Sequence, residues 1–284
     1  MKLVRYGPKG HEKPGLIDPD GTIRDLARHI HDTDHLALAP EGLDKIRRLD
    51  PGALPAIDAS QRIGPPLRRV GKCVCIGLNY SDHAAETNSR PPAEPIIFLK
   101  ATSALCGPND PIVIPKDSVK TDWEVELALI IGRKAQHVTE AEAPACVAGY
   151  TIMNDVSERA FQVERGGQWT KGKSCDNFGP LGPWLVTRDE VPDPQALGLW
   201  LEVNGERMQH GTTANMIFPV GTLVSYVSRF MTLYPGDVIS TGTPAGVGMG
   251  KKPPRFLSAG DVVTLGVDGL GTQRQACVAW SPPA

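Results

Sequence analysis

The chain has 284 residues, of which 40% are hydrophobic and 22% charged, and its formal net charge is -2. These values are typical of a globular protein with a sizeable core, and the lack of a basic excess argues against nucleic acid or an anionic membrane as a partner. The opening residues Met1–Pro8 contain no apolar signal segment, and the longest apolar run, Leu127–Ile131, is too short to cross a bilayer. We therefore expect a cytoplasmic protein with no nucleic-acid and no membrane partner.

The cysteine pattern indicates reduced thiols. Cys73 and Cys75 form a C-x-C pair, which lacks the C-x-x-C spacing of a zinc knuckle or a redox site. The alternative is one catalytic thiol, for which Cys175 is the candidate because it lies within the 171–183 segment described below.

The first part of the chain predicts a small unit of its own. Its predicted elements are, in order, a strand at Lys2–Tyr6, a hairpin over 13–26 with its turn at Asp18–Gly21, two short helical segments near Ala27 and near 43–49, and a Pro-, Ala- and Gly-rich linker over 54–66. We therefore divide the chain into a small N-terminal domain, 1–65, and a catalytic domain, 66–284.

From Gly71 onward, short apolar runs predict many strands and few helices. The predicted strands lie at 72–77, 95–100, 123–131, 149–154, 184–187, 199–203, 237–240 and 261–265, and the predicted helices at 157–165 and 219–230. This composition of elements favours a β-rich α+β fold.

Three carboxylates alternate along the strand predicted at 123–131 and just before it. Residues two apart on a strand face the same side, so Asp122, Glu124 and Glu126 share one face. If that face is buried, their repulsion favours a bound cation, and an all-oxygen ligand set suits Mg²⁺, Mn²⁺ or Ca²⁺ rather than zinc. The alternative is a solvated edge strand whose acids point at water.

A second polar group follows the strand predicted at 149–154. Ser157 is a typical N-cap residue for the helix predicted next. On such a helix Asp155, Arg159 and Gln162 would lie within about 60° of one another. The alternative is a surface ion pair between Asp155 and Arg159, which contributes only about 0.2–0.5 kcal/mol.

Two further segments carry basic and acid–base groups. Glycines and prolines fix a loop over 171–183 around Lys171 and Lys173, which could otherwise be solvated surface cations. His83 and Glu86 are neighbours on one helical turn, where a carboxylate can orient an imidazole and raise its basicity. A surface hydrogen bond is the alternative for that pair.

A glycine-rich turn over 241–248 follows the strand predicted at 237–240. Its backbone N–H groups could approach an anion. It is not a Walker A loop, because Lys251 is followed by Lys252 rather than by Ser or Thr.

These segments, in this order, resemble the fumarylacetoacetate hydrolase family over roughly residues 70–270. The resemblance rests on G-L-N-Y-x-D-H-A-x-E from Gly77, D-W-E-V-E-L from Asp122, N-D-V-S-x-R from Asn154, K-G-K-S-x-D-x-F-x-P-x-G-P from Lys171 and P-G-D-x-I-x-T-G-T-P-x-G-V-G from Pro235. It implies a mixed β-sandwich roll with a small N-terminal domain, Mg²⁺ or Mn²⁺ as cofactor, and a homodimer or higher homo-oligomer.

The resemblance also implies roles for individual side chains. Asp122 receives no clear role, and we expect it to be a hydrogen-bond acceptor beside the site. The implied roles are metal ligands for Glu124, Glu126 and Asp155, a water-activating pair on a mobile lid for His83 and Glu86, catalytic charge stabilisation for Lys173 and Gln162, and substrate binding for Arg159, Gln162, Lys173 and Thr243.

The opening Met1–Gly7 and the segment Gln168–Asp176 are most similar to family members that hydrolyse 2,4-diketo-3-deoxy sugar acids. This implies cleavage of a carbon–carbon bond in a small 2-oxo acid, L-2,4-diketo-3-deoxyrhamnonate or its fuconate analogue, to pyruvate and L-lactate. The alternatives are an oxaloacetate decarboxylase or keto–enol tautomerase, a ureidoglycolate lyase, an acylpyruvate or fumarylpyruvate hydrolase, and a metal-dependent binding protein without activity.

Overall fold

The computed structural model describes residues 1–282, so the last two residues of the predicted 66–284 unit lie outside it. The strands are β1 Lys2–Tyr6, β2 Lys13–Ile17, β3 Ile23–Asp25, β4 Ala56–Ile57, β5 Ile63–Gly64, β6 Cys73–Gly77, β7 Ile96–Lys100, β8 Leu105–Cys106, β9 Ile112–Ile114, β10 Thr121–Asp122, β11 Val125–Ile131, β12 Val147–Asn154, β13 Ser157–Glu158, β14 Gly179–Thr187, β15 Gly198–Val203, β16 Glu206–Thr212, β17 Val238–Ser240, β18 Val262–Val267 and β19 Gly271–Ala279. The α-helices are α1 His35–Leu38, α2 Pro40–Arg47, α3 Ser81–Glu86, α4 Arg159–Val163, α5 Thr170–Lys173 and α6 Val220–Ser228. Short 3₁₀ turns lie at Pro51–Ala53, Thr102–Ala104, Ala143–Cys146, Arg188–Glu190, Thr213–Asn215 and Gly248–Gly250.

A mixed sheet of twelve strands forms the larger layer, in the order β4-β3-β2-β1-β14-β12-β11-β17-β6-β7, with β5 beside β1 and β8 beside β14. Most neighbours are antiparallel, whereas β17 runs parallel to β6 and β14 parallel to β8. Strand β11 lies between β12 and β17, and all seven of its residues are buried. The strand that carries Glu126 is therefore an interior strand.

The main core lies between the large sheet and a five-stranded sheet of order β16-β15-β18-β19-β9. Alternate residues of β11, Leu127 and Leu129, pack there with Leu201 of β15 and Leu265 of β18, and all four are fully buried. Burial of such side chains stabilises the fold by roughly 1.5–3 kcal/mol each. The intervening residues of β11 enter a second cluster on the other face of the sheet, which contains α2.

The N-terminal strands continue the large sheet, because β1 pairs with β14 through Lys2–Val186 and Leu3–Leu185. Leu3 and Leu185 belong to the same buried cluster. The division of the chain at residue 65 stays a prediction. None of the helices in residues 1–282 has the length and hydrophobicity needed to span a bilayer.

The β-rich α+β fold is confirmed, and three local predictions are wrong. The linker predicted over 54–66 contains β4 and β5, and the first helix is α1 rather than a segment near Ala27. There, the backbone N–H of Ala27 donates to the Asp25 carboxylate at 2.7 Å, and the chain makes a turn instead.

The third wrong prediction is the helix over 157–165, because α4 begins only at Arg159. Ser157 and Glu158 instead form β13, which pairs with Asp122 and Thr121 of β10. Glu158, rather than Ser157, is the N-cap, since its carboxylate accepts from the Ala160 N–H at 3.1 Å.

Candidate metal centre and active site

Three buried carboxylates, those of Glu124, Glu126 and Asp155, form one cluster. One oxygen from each lies within 4.8 Å of the others. Their exposures are 6%, 1% and 0%, respectively, so these acids do not point at bulk water. The alternative of a solvated edge strand is thereby excluded for Glu124 and Glu126.

The register of β11 against β12 brings the three acids together. Val125 is opposite Asn154, and the Asp155 N–H donates to the Glu124 carbonyl at 2.9 Å, so Asp155 follows β12 beside the start of β11. Glu126 Oε2 accepts hydrogen bonds from the Ser240 hydroxyl and from the Gly242 N–H at the end of β17. Asp155 thus reaches the cluster from the end of a strand, not from the predicted helical face.

The burial and crowding of the carboxylates perturb their protonation. Burial, followed by the charges of Asp155 and Glu124, raises the pKa of Glu126 well above its ordinary value. Burial also opposes ionisation of Glu124, but the positive charges of Lys173 and Arg159 outweigh it and lower the pKa of Glu124 to about 2. One acid of the cluster is therefore left without enough positive charge nearby.

Lys173 and Arg159 are the cations that face the cluster. Lys173 Nζ donates to Glu124 Oε2 and Asp155 Oδ2, each at 2.8 Å, and Arg159 Nη2 lies 2.7 Å from Glu124 Oε1. Burial disfavours the Lys173 ammonium, yet the charges of Asp155 and Glu124 raise its pKa above the ordinary value. Lys173 is 1% exposed, which excludes the alternative of a solvated surface cation, whereas Lys171 is exposed.

Sequence reasoning missed Lys100, the last residue of β7. Its ammonium is fully buried, lies 2.7 Å from Asp155 Oδ1, and donates to the carbonyls of Val156, Lys173 and Phe178. Lys100 thereby connects a candidate metal ligand to the loop that carries Lys173. The only signal in the sequence is a lysine at the end of an apolar strand, and that signal does not identify its partners.

Asp122 does not join the three-carboxylate cluster, so the prediction that it shares their face is wrong. The chain leaves the strand conformation at Trp123 and Glu124, between β10 and β11. The Asp122 carboxylate accepts from the N–H groups of Gly248 and Met249 at 2.6 and 3.0 Å and from Arg159 Nε at 2.9 Å. It anchors the glycine-rich turn and orients the guanidinium of Arg159.

His83 and Glu86 lie on α3, and His83 lines the same cavity as Glu124 and Glu126. His83 Nδ1 is 3.3 Å from Glu86 Oε2, and His83 is 9% exposed. Burial opposes ionisation of Glu86, but hydrogen bonds from His83 and from the Gly246 N–H lower its pKa below the ordinary value. Glu86 is thus an ionised acceptor that connects α3 to the glycine-rich turn.

The cavity has a volume of about 160 Å³. This is below the 300–1,000 Å³ of pockets for drug-sized ligands, which indicates a small substrate. Its lining consists of Ile76, Gly77, Leu78, His83, Thr87, Ser89, Phe98, Glu124, Glu126, Arg159, Gln162, Val163, Trp169, Lys173, Thr243 and Met249. The predicted catalytic and substrate-binding groups His83, Arg159, Gln162, Lys173 and Thr243 are among these residues, whereas Glu86, which was also predicted to be catalytic, is not. Their roles stay predictions.

Two of these side chains have hydrogen bonds that constrain what they can do. The Thr243 hydroxyl donates to the Val125 carbonyl at 2.9 Å and accepts from Gln209 at 2.8 Å, so its hydrogen is not free for a substrate carboxylate in this state. Gln162 Oε1 accepts from Arg159 at 3.1 Å, which leaves its NH₂ group as a donor toward the cavity.

Cys175 is not part of the lining. Burial raises its pKa to about 11, so it is a neutral thiol near pH 7. This argues against the alternative of a catalytic cysteine at this position.

The donor set fits a hard divalent ion. All three candidate ligands are carboxylates, the group that Mg²⁺ and Mn²⁺ prefer. Asp155 Oδ1 is buried and accepts no hydrogen bond of good geometry, although the Lys100 ammonium lies 2.7 Å away. A divalent ion held by Glu124, Glu126 and Asp155 would supply the positive charge that Glu126 lacks.

Comparisons with known proteins agree with this chemistry. The family described as fumarylacetoacetate (FAA) hydrolase C-terminal matches residues 72–278. A protein from Burkholderia ambifaria, provisionally named a hydrolase, is 60% identical over 97% of this chain and 98% of its own. The solved fumarylacetoacetate hydrolase from Exiguobacterium antarcticum is 37% identical, with a TM-score of 0.89 over 99% of this chain and 100% of its own. Maleylpyruvate hydrolase from Sphingobium sp. SYK-6, solved with manganese(II) and pyruvate, is 28% identical, with a TM-score of 0.82 over 99% and 100% of the two chains.

Proposed function

Because the chain belongs to the fumarylacetoacetate hydrolase family, we propose that it is an Mg²⁺- or Mn²⁺-dependent hydrolase that cleaves the carbon–carbon bond of a small 2,4-dioxo acid. The proposed substrate is L-2,4-diketo-3-deoxyrhamnonate or its fuconate analogue, and the products are pyruvate and L-lactate. The similarity of Met1–Gly7 and Gln168–Asp176 to sugar-acid hydrolases supports this choice of substrate.

The observation that carries the proposal is one cavity that is lined by Glu124 and Glu126 of the carboxylate cluster and by His83, which lies against Glu86. A metal site alone would suit several reactions of 2-oxo acids. An oriented imidazole beside it adds a group that can remove a proton from water. Hydrolysis requires activated water, whereas decarboxylation and tautomerisation of the same acids do not.

The side chains can divide the reaction as follows. A divalent ion held by Glu124, Glu126 and Asp155 would act as a Lewis acid toward the carboxylate and 2-oxo oxygens of the substrate. His83, oriented by Glu86, takes a proton from water, and the water oxygen attacks the C4 carbonyl.

Charge then develops on the former C4 carbonyl oxygen. Lys173 has one N–H beyond the two that it donates to Glu124 and Asp155, and it stabilises this oxygen together with the Gln162 amide. The C3–C4 bond breaks, its electron pair remains on the pyruvate enolate, and protonation of C3 completes the reaction. Arg159, fixed by Asp122, binds the substrate carboxylate.

The test is pyruvate release from a panel of 2,4-dioxo acids, by protein stripped with EDTA and then supplied with Mg²⁺ or Mn²⁺. We expect metal-dependent release, with the deoxy sugar acids among the best substrates. His83→Ala should lower kcat for a diketone by roughly 10²–10⁴-fold, the range for loss of a general base. Its Mn²⁺ affinity should change little, because His83 is not among the three clustered ligands.

Parallel assays of His83→Ala with oxaloacetate separate hydrolysis from enolate chemistry. If the variant retains activity equally on oxaloacetate and on the diketone, the oxaloacetate decarboxylase or tautomerase is the better function. Binding of Mn²⁺ without turnover of any 2-oxo acid in the panel would favour a binding protein and contradict the proposal.

A further inference from the structure

The lining of the cavity is charged at its buried end and apolar at its mouth. Glu126 and Lys173 at the inner end are each 1% exposed, whereas Val163 and Met249 are 47% and 40% exposed. The reacting oxygens of a substrate therefore belong at the inner end, beside the charged groups. The non-reacting end of the substrate extends toward the apolar mouth.

An aromatic wall lies along this route. Trp169 and Phe98 meet edge to face, with ring centroids 5.3 Å apart and an interplanar angle of 65°. Gly77 allows the indole to approach the β6 backbone closely, because a Cβ at this position would lie 2.7 Å from Cζ3 of Trp169. The indole therefore has a fixed position, in which it presents an apolar surface to the cavity.

The polar side chains that follow α3 and line the cavity are neutral. Thr87 and Ser89, which follow α3, both line the cavity, and their hydroxyl oxygens are 3.1 Å apart. Such hydroxyls can hydrogen-bond to a substrate hydroxyl as donor or acceptor. They cannot neutralise a charge.

No spare cation serves the outer part of the cavity among the described residues that line it. Arg159 and Lys173 are the basic side chains of the lining besides His83, and both pair with buried acids. A second carboxylate at the far end of a substrate would lose water without gaining a positive partner, which is costly. A methyl or hydroxyl group would meet no such penalty.

We propose, on the basis of the function proposed above, that the site selects 2,4-dioxo acids whose far end is short and uncharged, and discriminates against those with a second terminal carboxylate. Trp169 and Phe98 form the apolar wall for that end, and Thr87 and Ser89 are the contacts for a hydroxyl group. These four residues are the specificity determinants of the cavity.

The test compares two 2,4-dioxo acids of equal chain length, one ending in a methyl group and one in a carboxylate. The wild-type protein should have at least a tenfold higher kcat/KM for the methyl-ended acid. Val163→Arg places a cation at the exposed mouth and should raise the ratio of kcat/KM for the dicarboxylate to kcat/KM for the methyl-ended acid at least fivefold. Val119→Arg is the matched control, because Val119 is 69% exposed and lies outside the lining.

The possible outcomes separate this inference from the proposed function. If the dicarboxylate is turned over as well as the methyl-ended acid or better, the inference is overturned while the hydrolase remains. If Val163→Arg and Val119→Arg raise kcat/KM for the dicarboxylate equally, the increase results from net charge rather than from a cation at the mouth, and the inference is overturned. If the wild-type protein cleaves neither acid in the presence of Mn²⁺, the proposed function itself fails.

Discussion

Replacement of Lys100 by methionine tests whether this buried ammonium holds the two halves of the site together. Methionine keeps most of the side-chain volume and removes the charge. Three buried carbonyls then lose a donor, and Asp155 loses a cation 2.7 Å from its Oδ1. A buried group left unsatisfied costs about 1–3 kcal/mol, and breaking a buried ion pair from one side costs about 3–5 kcal/mol. Because these terms overlap, we expect the free energy of unfolding to fall by about 3–5 kcal/mol.

The same substitution should strengthen the response to metal. Removal of a positive charge beside Asp155 leaves the carboxylate cluster more negative, so Mn²⁺ should stabilise Lys100→Met more than it stabilises the wild-type protein. Urea unfolding, with and without Mn²⁺, measures both quantities, since a ligand that binds only the native state raises the free energy of unfolding. Lys134→Met is the control, because Lys134 is exposed and its substitution should change stability by no more than about 0.5 kcal/mol.

Two results would refute this reasoning. A loss of less than about 1 kcal/mol in Lys100→Met without metal would mean that the carbonyls and Asp155 find other partners. Equal stabilisation of variant and wild type by Mn²⁺ would mean that Lys100 does not influence the metal site.

Three further predictions concern other charged groups. Glu126→Gln should remove one candidate ligand and lower Mn²⁺ affinity at least tenfold in calorimetry. It should also stabilise the metal-free protein by about 1–2 kcal/mol, because an amide removes both the cost of burying the carboxylate and its repulsion by Asp155 and Glu124, which raise the pKa of Glu126; a destabilised metal-free variant would contradict this. Asp122→Asn should lower kcat/KM by about 10–100-fold through misorientation of Arg159, with Mn²⁺ affinity unchanged, and a matching loss of metal binding would contradict this prediction. Burial opposes ionisation of Glu12 and Asp110, but hydrogen bonds, including those from Arg62, lower the pKa of both carboxyl groups. The stability that these groups contribute is therefore fully present above their ordinary pKa values of 4.5 and 3.8, and it is lost as the pH falls through the lowered values. Arg62→Met should therefore flatten the acid limb of a plot of urea midpoint against pH, and an unchanged limb would exclude this ion-pair cluster as its cause.

The interior strand and its acids were predictable because their signals are local. A run of apolar residues after Glu126 indicates a buried strand, and alternation places Glu124 and Glu126 on one side. The same rule misplaced Asp122, because alternation assumes a continuous strand and the strand conformation is interrupted at Trp123 and Glu124. The N–H groups that hold Asp122 come from more than 120 residues later in the chain, as its bonds to Gly248 and Met249 show.

Other features were hidden because polar residues occupy buried positions. Strand β19 was not predicted, although buried and exposed residues alternate regularly along it. Its buried positions include Gln273 and Gln275. Their side-chain amides donate hydrogen bonds to the backbone carbonyls of Ile152, Gly182 and Pro108. A hydrophobic pattern does not reveal such a strand. Lys100 was missed for a related reason, since its acceptors become neighbours only after β7 and the 171–183 loop pack together.

The antiparallel pairing of β11 and β12 has a consequence for how this protein can change. Glu124, Glu126 and Asp155 owe their spacing to one strand register, which the hydrogen bonds between the two strands fix. Other residues that line the cavity come from separate segments, such as His83 from α3 and Trp169 just before α5. Substitutions in those segments can therefore alter which acid is bound while the spacing of the carboxylates stays the same. Substrate preference can therefore evolve without any change in the geometry of the candidate metal centre.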